Sequence, residues 1–152
     1  DKRNNHRVRC LASTLPRQEF TPSFTDNHDG TVKDNATGLI WQKCSRGQTN
    51  DSTCSSTATT SSWEDALTYC AGLNLAGKTW RLPNVNELKA LLDTTKASGA
   101  KIDNLFPATV AGNFGQAYIS STTDAQSSNS AYVVRFSEGY LTPWGTKSFL
   151  GY

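Results

Sequence analysis

The residues able to do chemistry in this chain are few: His6 and His28, four cysteines at Cys10, Cys44, Cys54 and Cys70, and aspartates at Asp26, Asp29 and Asp34. The spacing Asp26-x-His28-x-Gly30 has the outline of a calcium loop, which needs oxygen ligands at the first, third and fifth positions and a distant bidentate glutamate. Histidine and glycine hold the third and fifth places here. Aspartates accepting backbone N–H bonds beside a glycine at positive φ explain the same residues as a turn. Asp26 and Asp29 therefore stand as calcium candidates behind the turn reading. Zinc is disfavoured, because there is no Cys-x-x-Cys pair and neither histidine has zinc-site spacing. Ser120, Ser121, Thr122 and Thr123 offer hydroxyls, yet no G-x-S-x-G occurs and neither histidine has an evident orienting carboxylate. Phosphate-cradling glycine motifs are missing too. No catalytic residue, cofactor or enzymatic activity is expected.

Binding chemistry has more to draw on. Tyr118, Tyr132, Tyr140 and Trp144 fall in the late part of the chain, where exposed rings could stack on sugars. Asn113, Gln116, Asn129 and Arg135 could add directional hydrogen bonds. The plainer alternative is that these rings fill the core of a loop-rich fold. At the other end, Lys2, Arg3, Arg7, Arg9 and Arg17 face only Asp1, a local charge of +4 that leaves −2 for the rest of a +2 chain. Such an arm attracts polyanions, and guanidinium groups pair with sulfate oxygens two at a time. Lys33, Lys43 and Arg46 could extend it. Sulfated polysaccharide is the expected polyanion, nucleic acid is not an expected partner, and a merely solvated arm is the alternative.

These residues have to be positioned by strands, turns and two helices. His6 to Leu11 alternates like a short strand. Phe24 to Asp34 reads as a hairpin about Asp29-Gly30, and Asn35 to Gly38 is a second turn leading into the apolar strand Leu39-Ile40-Trp41. Ser61, with Glu64 three residues on, has the arrangement of a capping box. Trp63, Ala66, Leu67 and Cys70 then share one helical face, so Cys70 is expected to point into the core. A second helix begins after Pro83, with Asn84 as its cap, Glu87 at the third position and Val85, Leu88, Leu91 and Leu92 as its buried stripe. Phe106 and Phe114 are expected anchors. The stretches Ala117 to Ser121 and Ala131 to Phe136, with a turn at Glu138-Gly139 and a return at Tyr140 to Thr142, supply late strands, and Phe149 to Tyr152 opens another. Strands, then two helices, then strands make an α+β pattern: two helices on a twisted antiparallel sheet.

Bulk properties agree. At 152 residues the chain suits one domain, able to bury roughly 70% of its unfolded surface. Hydrophobic residues are only 36%, but four Trp, five Tyr and six Phe are available to fill an interior. No apolar run approaches the ~18 residues of a membrane span, and no signal peptide is visible, so membrane insertion by this segment is not expected. Residues 45–62 are nearly all Ser, Thr, Gly, Asn and Gln, and cannot order themselves by burial. An even cysteine count favours disulfides and an oxidising compartment. Pairing Cys44 with Cys54, which flank that polar stretch, would close a small loop; four cysteines allow three pairings in all.

Several stretches together resemble one family. They are Phe24 to Gln42, with Asp29-Gly30-Thr31-Val32 and Gly38-Leu39-Ile40-Trp41 inside it; Trp63-Glu64-Asp65-Ala66-Leu67-Thr68-Tyr69-Cys70; Trp80-Arg81-Leu82-Pro83-Asn84-Val85-Asn86-Glu87-Leu88; Tyr118-Ile119-Ser120-Ser121-Thr122; and Val134-Arg135-Phe136-Ser137-Glu138-Gly139-Tyr140. Over residues 20–152 the chain is similar to the Legionella collagen-like (Lcl) C-terminal domain family. The resemblance implies a C-type-lectin-like fold, an extracellular, bacterial cell-surface setting, and binding of glycans or extracellular matrix. Members usually end in a Val-Arg-Cys strand whose cysteine bonds to the first helix. Here that signature is Val8-Arg9-Cys10, at the front. Residues 1–13 thus read as the tail of a preceding repeat or as a permuted closing strand, and 14–152 as the domain. The pairing implied is Cys10–Cys70 with Cys44–Cys54. Insertion of that strand into a neighbour would instead give an oligomer of the chain with itself. Arg81-Leu82-Pro83 is also similar to the sulfatase-modifying-factor fold, whose enzymes need a reactive copper-holding cysteine pair; with Cys70 tied to Cys10, a structural role for the tripeptide is expected. Calcium-dependent lectins of this fold use Glu-Pro-Asn or Gln-Pro-Asp, and neither is present. The expected function is a non-enzymatic adhesion domain. The alternative is a structural or assembly module of a surface appendage or tandem-repeat protein.

Overall fold

The Asp29-Gly30 hairpin shows how local chemistry builds the front of the domain. Strand β1 (Phe24–Asp26) pairs antiparallel with β2 (Thr31–Asp34), Phe24 opposite Asp34 and Asp26 opposite Val32. Between them Asp26 accepts the His28 N–H at 2.8 Å, Asp29 accepts the Thr31 N–H at 3.0 Å, and Gly30 takes φ +86°. A side chain at Gly30 would also run into Asn50. The next turn repeats the device. Asp34, only 2% exposed, accepts from Ala36 N and Thr37 Oγ1 at 2.9 and 2.6 Å, so its buried carboxylate is satisfied. β3 (Ile40–Gln42) then pairs with β2, completing a sheet ordered β1-β2-β3.

The computed structural model describes residues 23–112 and 116–147, without the side chains of 144–146. The expected strand at His6 to Leu11, the anchor Phe114 and the strand opened by Phe149 lie outside the described residues.

Residues 45–60 are held by what a polar segment has available. Cys44 and Cys54 are disulfide-bonded with Cα atoms 5.1 Å apart, and both are buried. Inside the loop Asp51 accepts from the backbone N–H groups of Thr53 and Ser55 at 2.9 and 3.1 Å and from the Ser55 hydroxyl. These donors hold the Asp51 carboxyl down at about 2.

Helix α1 (Trp63–Gly72) starts one residue later than the sequence suggests. Ser62, not Ser61, is the cap, accepting the Asp65 N–H at 3.1 Å. Ser61 is buried and accepts instead from Arg46 Nη1, so its hydroxyl is already engaged. Helix α2 (Val85–Ala90) has the expected capping box: Asn84 accepts from Asn86 N and Glu87 N, and Glu87 accepts the Asn84 N–H. It is short, so Leu91 and Leu92 of its predicted stripe lie at and just beyond its end.

Strands β4 (Tyr118–Asp124), β5 (Ser127–Arg135) and β6 (Tyr140–Thr146) form a second antiparallel sheet in that order. Where one sheet is expected from the sequence, the described residues form two of three strands each. α2 and its following loop join them: Val32 of the first sheet and Val134 of the second meet Leu88, Leu91, Ile102, Phe106 and Phe136 in one core. A second core packs α1 over Ile119, Ala131 and Val133. β5 thus buries alternate residues in different clusters, which is why Ala131 to Phe136 reads as a nearly continuous apolar run.

Candidate functional site

A groove of about 400 Å³ is bounded by β3, α1, the Trp80-Arg81-Leu82-Pro83 stretch and α2. Ile40 and Trp41 contribute from β3, Ala66, Tyr69 and Cys70 from α1, and Leu88 and Leu91 from α2 and its end. Its walls are mainly apolar, and most of its charges are already paired. Arg46 donates to Ser61 and lies over the Tyr69 ring, 5.2 Å from its centroid. Tyr69 Oη accepts from Gln42 Nε2 at 2.9 Å. Arg81 makes two hydrogen bonds to Glu87, at 2.8 and 2.6 Å, which pull the Glu87 carboxyl below its ordinary range. Lys43 Nζ donates to Asp26 at 2.8 Å.

Two groups on the groove wall are not satisfied in this way. The Trp41 indole Nε1 is buried with no hydrogen-bond partner among the described residues. Cys70 carries a thiol with no disulfide partner among them. Burial pushes the Cys70 pKa up, opposed in part by the Arg46 charge, so the sulfur stays protonated and a poor nucleophile near neutral pH. The helix face therefore places Cys70 half-buried at the margin of the second core, not inside it. Its expected partner, Cys10, lies outside the described residues.

The late aromatic set divides. Tyr118 is a strut: its hydroxyl pairs with Ser45 Oγ at 2.8 Å and accepts the Val110 N–H at 3.1 Å, and its ring meets Phe136 edge-on. Tyr118 is half-buried by this packing and also lines the groove. The expectation that Arg135 faces a ligand does not fit its burial. It is 1% exposed, enclosed because β5 has a core on each side, and cannot reach a ligand from solution. Its role is support: Nη1 donates to Tyr140 Oη at 3.2 Å and lies 3.7 Å from Glu138 Oε2, and the guanidinium sits 5.8 Å from the Tyr140 ring centroid. Tyr140, 43% exposed, remains available. Tyr132 is half-buried opposite Pro143, and Trp144 pairs through its backbone with Ala131. Of Tyr118, Tyr132, Arg135 and Tyr140, only Tyr140 is exposed among the described residues.

Asp26 and Asp29 do the work of turn acceptors, as the hairpin shows, and Asp26 also holds Lys43. Among the described residues no three His, Cys, Asp or Glu side chains converge as a metal site. Lys2, Arg3, Arg7 and Arg9 lie outside the described residues, whereas Lys43 and Arg46 are occupied as above. No helix among the described residues is long and apolar enough to cross a membrane. The groove is what sequence reading missed. Its walls come from segments far apart in the chain, and a local hint is Tyr69 beside Cys70 on the half-exposed flank of α1.

These features define a disulfide-stapled α+β domain with helices bridging two antiparallel sheets. The chain belongs to the Lcl C-terminal domain family, whose pattern it matches over residues 30–149. No curated protein and no solved structure matches it.

Proposed function

We propose that this is a non-enzymatic recognition domain of C-type-lectin-like fold, displayed extracellularly at a bacterial surface and binding glycans, sulfated polysaccharide foremost. Family membership supports the reading, as does the buried Cys44–Cys54 bond, which suits an oxidising compartment. The single observation that carries glycan recognition is the Tyr140 platform. Tyr140 is an exposed ring on an ordered strand, and Arg135 beneath it fixes its hydroxyl. A ring held in place loses little freedom when a sugar stacks on it, which preserves binding free energy. The basic residues of the N-terminal arm supply the charge that sulfate groups require.

The test is a glycan array run with the full chain and with Tyr140→Ala, alongside heparin-column elution. Sulfated hits that vanish in the variant, with elution above ~0.3 M salt, are expected. An array without hits, together with a concentration-independent oligomer in sedimentation, would replace this reading with an assembly module.

A further inference from the structure

The charged side chains lining the groove are Lys43, Arg46, Lys78, Arg81 and Glu87. Arg81 is paired with Glu87, and Lys43 with Asp26. Arg46 and Lys78 have no carboxylate at ion-pair distance among the described residues, so the groove carries uncompensated positive charge. Of the two, Arg46 is half-buried and Lys78 exposed. The partners of Arg46, the Ser61 hydroxyl and the Tyr69 ring, are both neutral. Only Nη1 is spent on Ser61, and the rest of the guanidinium fork has no acceptor among the described residues. Beside it, the Tyr69 hydroxyl accepts from Gln42 but finds no acceptor there for its own proton. A half-buried cation and a phenol with donors to spare suit a single anionic group.

The rest of the lining is mainly apolar, with Ile40, Trp41, Leu88, Phe106 and Phe136 among it. The last three are buried members of the main core, so the groove reaches inward from the surface to that core. Its volume of about 400 Å³ falls within the range of small-molecule pockets, about 300–1,000 Å³. A sugar would leave these walls unmatched, because its hydroxyls need partners that the apolar side chains lack. A lipid packed in a bilayer presents its headgroup and keeps its chain away, which would leave the walls bare. A free molecule with one anionic head and one hydrocarbon chain matches both parts.

We infer that the groove binds a free single-chain carboxylate amphiphile, its head on Arg46 and Tyr69 and its chain along Trp41 toward Phe136. The planar guanidinium fork matches a carboxylate, and the chain gains by leaving water. Tyr140 does not line the groove, so the inference stands apart from glycan recognition.

Dodecanoate, kept below its micelle range and titrated into the full chain, tests it through tryptophan fluorescence, since Trp41 and Trp80 both line the groove. One saturable site is expected. Dodecanol, which lacks the charged head, should bind about tenfold weaker or more. Each methylene added from octanoate to dodecanoate should tighten binding about fourfold. Arg46→Gln should weaken dodecanoate about tenfold and leave dodecanol unchanged, while Tyr69→Phe, which keeps the ring, should weaken it about threefold. Lys89→Gln, at an exposed lysine outside the groove, should change nothing. Because Arg46 also holds Ser61, circular dichroism checks that variant's fold; if it unfolds, the alcohol comparison and Tyr69→Phe decide. Absence of a saturable site overturns the inference. Equal affinity for acid and alcohol does so too, since the groove would then be an unselective apolar surface. Retention on vesicles of anionic phospholipid that dodecanoate does not compete away would overturn it in favour of a membrane contact.

Discussion

Arg81 and Glu87 hold each other through two parallel hydrogen bonds, Nη1 to Oε2 at 2.8 Å and Nη2 to Oε1 at 2.6 Å, while the same carboxylate accepts the Asn84 N–H at 2.9 Å. One side chain thus fastens the loop before α2 to the start of the helix. The Arg-Leu-Pro stretch has its structural role here: arginine positions the capping glutamate, and proline precedes the cap.

Replacing Glu87 separates the two contributions. Arg81 is 63% exposed, so solvent screens the pair, and Glu87→Gln should cost only about 0.5 kcal/mol. Glu87→Ala also removes half of the capping box and should cost about 1 kcal/mol, read as a Tm drop of roughly 2–4 °C. Equal losses from the two variants in urea titrations would show that the charge, not the cap, does the work.

Acid should weaken the front sheet through Asp26. Its carboxyl lies below its ordinary value, first because Lys43 donates to it and then because the His28 N–H does. A carboxyl depressed in the folded state contributes stability that is fully present above the unfolded pKa, near ~4. That contribution disappears as pH falls through the folded value. Asp26→Asn should therefore be less stable than the parent by about 1–2 kcal/mol at pH 7, since Lys43 is only 12% exposed and loses a charged partner. The gap between the two should close below pH ~4. A gap that stays constant down to acid pH would mean the hydrogen bonds matter and the charge does not.

The Cys44–Cys54 bond acts mainly on the unfolded chain. It closes a loop with a sequence separation of 10, which corresponds to about 2–3 kcal/mol of lost unfolded-state freedom. The Cys44→Ser, Cys54→Ser double variant should melt roughly 5–10 °C lower. Because Asp51 and its partners still order the loop in the folded state, the variant should keep its native circular dichroism. A melting point that does not move would place the same order in the unfolded chain.

What could be read from the sequence was local. The Asp29-Gly30 turn and the Asn84–Glu87 box each need only neighbours within four residues, so residue types alone revealed them. Ser61 and Ser62 were indistinguishable by that logic; Arg46, 15 positions upstream, decides between them by taking Ser61. Arg135 misled for a related reason. An alternating strand with one open face would display it, but β5 has a core on either side, and that depends on where α1 and α2 pack. That one core draws on Val32 of the first sheet, Leu88 of α2 and Val134 of the second is likewise a matter of long-range placement.

The Arg135–Tyr140 pair yields the prediction that separates support from recognition. Arg135 is enclosed, so Arg135→Ala should leave a cavity and orphan its hydrogen-bond partners, at about 3 kcal/mol, or roughly 6–12 °C in Tm. Tyr140→Phe keeps the ring but removes an acceptor from a buried cation and should cost about 1 kcal/mol. Because the two side chains touch, a double-mutant cycle should return a coupling between about 0.5 and 3 kcal/mol. Glycan retention should follow a different order. Tyr140→Ala abolishes it while the fold survives, Tyr140→Phe weakens it by only a few fold because the stacking face persists, and Arg135→Ala loses it in proportion to unfolding. If Tyr140→Ala leaves retention intact at a temperature where the protein is fully folded, the exposed ring is not the ligand platform, and the buried arginine beneath it serves β5 alone.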